Sequence, residues 1–123
     1  MEENNIESYK DSIVWQKAMD LVLVIYQLTE SFPKSKMNEL TAQMTKSAVA
    51  IPLNIAEGQR QNSEKDSYQS LEIAYRSGAQ LETQIEVAKR LPFTKKLDFS
   101  KTDVLLSEIM KMLNNILLSP ESK

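Results

Sequence analysis

The sequence predicts an all-α protein folded as an antiparallel, up-down-up-down four-helix bundle. Apolar residues recur at steps of three and four in four successive segments, which is the periodicity of a packed helix. Pro33, Gly58, Pro92 and Pro120 stand between or after these segments, where they end one helix before the next begins. No segment shows the sustained alternation of a half-buried strand. Short connections between such helices favour antiparallel neighbours.

The first helix is predicted to begin near Asp11 or Ser12, since both residue types cap helix N-termini well. Its apolar residues form one stripe with spacings of three and four: Val14, Ala18, Leu21, Ile25, Leu28 and Phe32. Pro33 ends this helix at Phe32, because the residue before a proline avoids the helical region.

The second helix is predicted to follow a short connection over residues 34–38 and to run to about Glu57. Its stripe comprises Met37, Leu40, Met44, Ala48, Ile51 and Ile55. Val49 and Leu53 add a second apolar flank, which indicates that this helix is covered on more than one side. Gly58 is a typical C-terminal stop.

The third and fourth helices each start with a segment that resembles a capping box, from Ser63 to Asp66 and from Ser100 to Asp103. The third helix is predicted over residues 63–91, with the stripe Leu71, Ala74, Gly78, Leu81, Ile85 and Ala88. The fourth is predicted to end at Pro120, with the apolar residues Val104, Leu105, Ile109, Met112, Leu113, Ile116 and Leu117.

The bundle is predicted over residues 11–118, after a flexible lead-in at 1–10 and before a polar tail at 119–123. Several apolar residues exceed what one four-helix core readily buries: Val49, Leu53, Ile73, Leu106 and Leu118. Extra apolar flanks on a small bundle indicate a subunit interface. A closed ring of subunits would use a heterologous contact, with two different patches on each subunit.

The composition argues against catalysis. The chain has neither cysteine nor histidine and only two glycines, so thiolate and imidazole chemistry and glycine-rich phosphate loops are missing. We therefore predict no catalytic residue, metal, cofactor or small-molecule substrate. The longest apolar run, residues 21–26, is far too short for a membrane span, and we expect a cytoplasmic protein with no membrane partner.

One segment of the second helix breaks a local rule, because Pro52 lies inside the helical pattern. A proline there removes one backbone hydrogen bond and clashes with the preceding turn. Asn54 is close enough to bond a freed backbone group, and Glu57 lies on the same face as Asn54. The structural hypothesis is a kink motif of Pro52, Asn54, Glu57 and Gly58 that fits the helix to the bundle. The alternative is a binding or catalytic site around Asn54 and Glu57.

Basic residues cluster at one predicted end of the bundle. The proline-marked connections after the first and third helices lie at the same end of an antiparallel bundle. That end carries Lys34, Lys36, Lys89, Arg90, Lys95 and Lys96. Such a patch can meet several phosphates of a nucleic acid. The alternative is a solvated rim of lysines that favour helix C-termini, in a chain whose net charge is −2 and whose pI is about 5.2.

Four motifs carry a resemblance to a known family. They are Val14-Trp-Gln-Lys-Ala-Met19, Leu40-Thr-Ala-Gln43, Ala48-Val-Ala-Ile-Pro-Leu-Asn-Ile-Ala-Glu-Gly58 and Leu81-Glu-Thr-Gln84. Together they resemble the four-helix-bundle proteins encoded in 23S rRNA intervening sequences, over roughly residues 11–118. The resemblance implies a ring-like homopentamer without enzymatic activity. It also implies a relation to the accessory protein of diversity-generating retroelements, a pentameric bundle that binds nucleic acid and its reverse transcriptase.

We therefore predict a non-enzymatic, homo-oligomeric binding module for RNA or for a protein that handles nucleic acid. The alternative is a protein–protein scaffold with no nucleic-acid affinity. The low pI favours that alternative. So does the sequence Thr45-Lys46, which stands where the resembled family often has two adjacent basic residues.

Overall fold

A computed structural model describes residues 9–119 of the chain. These residues form four long helices, α1 (Ile13–Glu30), α2 (Lys34–Gln59), α3 (Glu64–Arg90) and α4 (Ser100–Leu118), with a short 3₁₀ helix at Pro92–Thr94. No strand occurs within residues 9–119, which confirms the predicted all-α fold. Most of the predicted lead-in and of the predicted tail lies outside the described residues.

The four helices pack as a square. Each helix contacts its neighbours along the chain, and α4 closes the square by contacting α1. Within the part of the chain that the structure describes, no Cα atoms of the diagonal pairs α1–α3 and α2–α4 approach within 8 Å. This arrangement is a four-helix bundle, and it is compatible with the predicted up-down-up-down order. None of the described helices is long and apolar enough to cross a membrane.

The core lies where the predicted stripes of the first three helices meet. All six stripe residues of α3 are buried, from Leu71 to Ala88. The stripe of α1 is also confirmed, with Leu28 only partly buried. In α2 every predicted stripe residue is buried except Leu40, which is partly buried against the core. Helical periodicity was therefore sufficient to place these three helices, because each has one dominant apolar face.

The predicted stripe of α4 is partly wrong. Val104 is 58% exposed, whereas Leu106 and Met110 are buried in the core. The prediction that Leu106 lies outside the core is therefore also wrong. Helix α4 carries two adjacent apolar rows, so its sequence fits more than one rotation about the helix axis. Contacts with α1 and α3 select the rotation that buries Thr102, Leu106, Ile109, Met110, Leu113 and Leu117.

Two helix starts match their predicted caps. The Ser12 hydroxyl accepts a hydrogen bond from the backbone N–H of Trp15 at 3.4 Å. The Ser63 hydroxyl accepts one from Asp66 at 3.1 Å. Each bond satisfies a backbone donor that the first helical turn leaves free.

The start of α4 differs from the prediction. Ser100 is already the first helical residue, and Phe99 holds the N-cap position without a side-chain bond. The Asp98 carboxylate accepts a hydrogen bond from the Ser100 N–H at 2.9 Å. That backbone hydrogen bond lowers the pKa of Asp98 below its ordinary value.

The connection between α1 and α2 is shorter than predicted. Helix α1 ends at Glu30, and α2 begins at Lys34, immediately after Pro33. The predicted connection over residues 34–38 is therefore a helical turn, which a kink at Met37 separates from the rest of α2. Met37 has non-helical dihedral angles (φ −127°, ψ 16°) inside this first turn, and its side chain is buried. Burial of Met37 in the core accounts for a distorted first turn in place of a loop.

Candidate nucleic-acid interface

The fold brings the two lysine-bearing connections together at one end of the bundle. Lys36, near the start of α2, places its Nζ 5.6 Å from the centre of the Phe93 ring, which follows α3. A cation over an aromatic face at this distance is attracted by the ring. At the other end, the Arg60 guanidinium lies 5.4 Å from the centre of the Tyr9 ring. The six predicted basic residues therefore belong to one end, which we call the lysine end.

Two of these six residues are held by acidic partners. Lys89 Nζ lies 2.7 Å from Asp103 Oδ2 and 3.3 Å from Glu86 Oε2. Arg90 Nη2 lies 3.7 Å from Glu86 Oε1. The hydrogen bond with the Asp103 carboxylate is the largest cause that raises the pKa of Lys89, and Glu86 adds to it. These neighbouring carboxylates oppose a phosphate at Lys89 and Arg90.

The other four lysines are free to meet an anion. Lys34, Lys36, Lys95 and Lys96 are exposed, and none forms an ion pair within residues 9–119. The sequence alone did not separate them from Lys89 and Arg90. Only the packing of α4 on α3 brings Asp103 against Lys89. At the lysine end, the lysines without an acidic partner are therefore two on each connection.

The Pro52 segment continues as a helix. Pro52 is buried within α2, and the non-helical dihedral angles of this helix belong to Met37. Asn54 donates a hydrogen bond from Nδ2 to the Ala50 carbonyl at 2.8 Å. That acceptor is not the Ala48 carbonyl, the group that Pro52 leaves without its helical donor. The kink role of this motif stays a prediction.

Glu57 and Gly58 lie in the last turn of α2. Glu57 is exposed, and its carboxylate makes no hydrogen bond or ion pair with the described part of the chain. Gly58 does not end α2, which continues through Gln59, and its backbone has no positive φ. Instead, Gly58 is buried against α3, where an added Cβ would lie 3.0 Å from Leu71 Cγ.

Large apolar side chains are exposed on the outer sides of α1 and α2. It comprises Met19, Leu23 and Tyr26 of α1 and Val49 and Leu53 of α2, which are 40–61% exposed. Met19 is about 200° around α1 from Lys17, which pairs with Glu108 of α4. Val49 is about 200° around α2 from Ser47, which borders α3. Both therefore lie on the outer side of their helix, away from the core, and we call these five exposed residues the apolar face.

The sequence matches the family model of the 23S rRNA-intervening sequence protein over residues 10–115. This match covers most of the chain, including α1, α2, α3 and most of α4. The chain belongs to this family. No curated protein matches the sequence. The resemblance inferred from the four motifs is therefore confirmed at the level of the family.

In this 23S rRNA-intervening sequence protein, two of the motifs meet across one groove. Gln43 ends the motif that begins at Leu40, and Gln84 ends the motif that begins at Leu81. Both glutamines line a groove between α2 and α3. Sequence reasoning did not single out this groove. The available signal was a row of uncharged polar residues beside each apolar stripe, three and four residues apart.

Proposed function

We propose that this protein is a non-enzymatic, homo-oligomeric module that binds RNA through its lysine end. The observation that supports this function is the convergence of four lysines without acidic partners at one end of the bundle. They are Lys34 and Lys36 on one connection and Lys95 and Lys96 on the other. Lysines that contact phosphates release condensed counterions, and this release drives binding. Local convergence allows such binding although the net charge of the chain is −2.

The test is fluorescence anisotropy of a labelled, structured RNA at about 50 mM and 200 mM salt. We expect affinity to fall steeply between these two concentrations. The double variant Lys95→Gln/Lys96→Gln should weaken binding about tenfold or more at the lower salt, because it removes two phosphate contacts. The matched control is Lys65→Gln/Lys111→Gln, which changes the net charge equally but lies outside the lysine end. It should stay within about twofold of the wild type.

Two outcomes count against the RNA-binding proposal. If the wild type fails to bind at the lower salt, the lysine end is a solvated rim. If both double variants weaken binding equally, bulk charge and not this surface determines the affinity. Only the first outcome favours the alternative, a protein scaffold without RNA affinity.

The homo-oligomeric part of the proposal is supported by the apolar face. Leu23 is 61% exposed and Leu53 is 58% exposed, and the other three residues of the apolar face are at least 40% exposed. Burial of this surface against another subunit removes apolar area from water. We propose a closed ring of five subunits, in which the apolar face meets a different patch of the next subunit.

Light scattering after size-exclusion chromatography tests this assembly. The wild type should elute with the mass of five chains, and Leu53→Lys should elute as a monomer. Val104→Lys is the control, because Val104 is equally exposed at 58% but lies on α4. A monomeric wild type excludes the oligomer. Equal dissociation by both variants excludes the apolar face as the contact.

A protein scaffold without RNA affinity is the second candidate. The ion pairs of Lys89 and Arg90 with Glu86 and Asp103 favour it, since they reduce the positive charge at the lysine end. The two candidates share the oligomer and differ in the anisotropy experiment. Salt-sensitive binding that depends on Lys95 and Lys96 excludes the scaffold.

A further inference from the structure

A polar groove lies between α2 and α3. It has a volume of about 730 Å³, and four residues from each helix line it: Gln43, Lys46, Ser47, Ala50, Ser77, Gln80, Thr83 and Gln84. Seven of these eight residues carry a polar side chain, and none is a carboxylate. Lys46 is the one charged lining residue, and it has no ion-pair partner among the described residues. The groove therefore presents hydrogen-bonding groups and one positive charge.

Gln84 has an unsatisfied acceptor at this groove. Its Oε1 is buried and has no hydrogen-bond partner within residues 9–119. A buried carbonyl oxygen without a donor is costly, so such groups in folded proteins are nearly always paired. The groove is open on its outer side, where a bound molecule can approach. This oxygen has almost no surface open to the groove, so a bound molecule that offers an N–H donor would satisfy it once the Gln84 side chain turns outward.

The groove also leads toward the lysine end. Helix α2 runs from Lys36 at that end to Lys46 in the groove, a separation of about 15 Å along the helix axis. Helix α3 runs from Ser77 and Gln84 in the groove to Lys89 near the same end. A strand whose phosphates contact the lysine end can therefore continue along the α2–α3 side.

We infer that this groove binds unpaired nucleotides of a single-stranded RNA segment, an inference that rests on the proposed RNA-binding function. Exocyclic amines of bases are N–H donors for Gln84 Oε1, and amide side chains pair with base edges. The hydroxyl of Thr83, which is exposed, suits the 2′-hydroxyl, which both donates and accepts. Lys46 suits a phosphate. Base edges are accessible only in unpaired RNA, so the groove discriminates against a duplex.

The experiment compares the affinity for a labelled single-stranded RNA of mixed sequence with the affinity for a labelled RNA duplex. Gln84→Met keeps the side-chain length but removes the amide, and we expect it to weaken single-strand binding about five- to tenfold. Lys46→Gln should weaken it by a similar factor. Neither should change duplex binding by more than about twofold. Gln69→Met, an exposed glutamine of α3 outside the groove, is the matched control and should bind both RNAs like the wild type.

A second measurement observes the groove directly. The side-chain amide signal of Gln84 in a ¹⁵N-labelled protein should shift when the single strand is added, while that of Gln69 should not. If Gln84→Met and Lys46→Gln leave the ratio of the two affinities unchanged and the Gln84 signal does not shift, the groove inference is overturned while the lysine end stands. If neither RNA binds the wild type, the proposed function fails and this inference fails with it. A Gln84 signal that shifts with protein concentration and not with RNA assigns the groove to a subunit contact, which also overturns the inference.

Discussion

Single residues determine how closely α2 and α3 approach. A Cβ added at Gly58 would lie 3.0 Å from Leu71 Cγ and 3.2 Å from the Ser67 carbonyl oxygen. The absence of a side chain, and not a positive φ, is therefore the reason for glycine here. At Gly78 the added Cβ would overlap the thioether of Met110, a flexible side chain that can move aside.

We expect Gly58→Ala to destabilise the fold by about 1 kcal/mol. Overpacking against the Ser67 backbone costs about 1–3 kcal/mol, and the better helix propensity of alanine offsets part of it. Gly78→Ala should cost less, since Met110 can change its rotamer. Urea unfolding of both variants measures the difference, and a Gly58→Ala variant more stable than the wild type would contradict this explanation.

Thr94 determines how the C-terminal end of α3 is held. This residue is 2% exposed, and its hydroxyl donates a hydrogen bond to the carbonyl oxygen of Ala88 in the last turn of α3. The bond helps to satisfy a carbonyl near the helix end, where intrahelical donors run out. It also ties the 3₁₀ helix Pro92–Thr94 to the core.

We expect Thr94→Val, which keeps the shape and removes the hydroxyl, to lower the free energy of unfolding by about 1 kcal/mol. Thermal unfolding should show this as a lower Tm. Thr83→Val is the matched control, since Thr83 is exposed on α3 and the change should leave the Tm within error. Equal Tm values for Thr94→Val and the wild type would show that the hydroxyl bond contributes nothing.

At the scale of elements, one ion pair joins α3 to α4. Lys89 Nζ and Asp103 Oδ2 lie 2.7 Å apart, and the Lys89 side chain is 31% exposed. The pKa of Lys89 is raised chiefly by this hydrogen bond, so the folded state holds the proton more tightly than the unfolded state. The resulting stability is fully present below the ordinary lysine pKa and is lost as pH rises through the higher folded pKa.

Lys89→Met should therefore lose about 0.5–1 kcal/mol of stability at neutral pH, as expected for a partly exposed pair. The difference from the wild type should stay constant up to about pH 10, near the ordinary lysine pKa. Above it, the difference should shrink as the wild-type lysine loses its proton. Urea unfolding of both proteins from neutral pH to above the lysine pKa measures this difference in stability. A difference that persists at the highest pH would assign the effect to packing of the methylene stem.

At the scale of the whole molecule, the bundle has a complete core and an uncovered apolar face. Its four helices bury one continuous cluster, from Val14 of α1 to Leu117 of α4. The apolar face lies outside that cluster, on the outer sides of α1 and α2. A folded monomer therefore leaves this surface in water, and assembly would couple its burial to stability.

We expect the Tm of the wild type to rise with protein concentration, because subunits that bind only the folded state stabilise it by mass action. The Tm of Leu53→Lys should not depend on concentration. Differential scanning calorimetry over a hundredfold concentration range measures both. A wild-type Tm that is independent of concentration would contradict the oligomer, whatever its size.

Local sequence patterns were sufficient to predict the four helices, three of their buried stripes and two of their N-caps. These features depend on residues that lie within a turn or two of each other, such as Ser63 with Asp66. Helical periodicity and caps report such local relations directly. The family also followed from the sequence, through motifs such as the one that ends at Gly58.

The packing of the helices determines the features that depend on residues distant in the sequence. It selected the rotation of α4 that buries Leu106 and exposes Val104, since two apolar rows allow either. It placed Asp103 against Lys89, and Gln43 beside Gln84 across one groove. The physical reason is that a helix pattern shows which face is apolar, whereas the partner of each side chain depends on how separate helices pack.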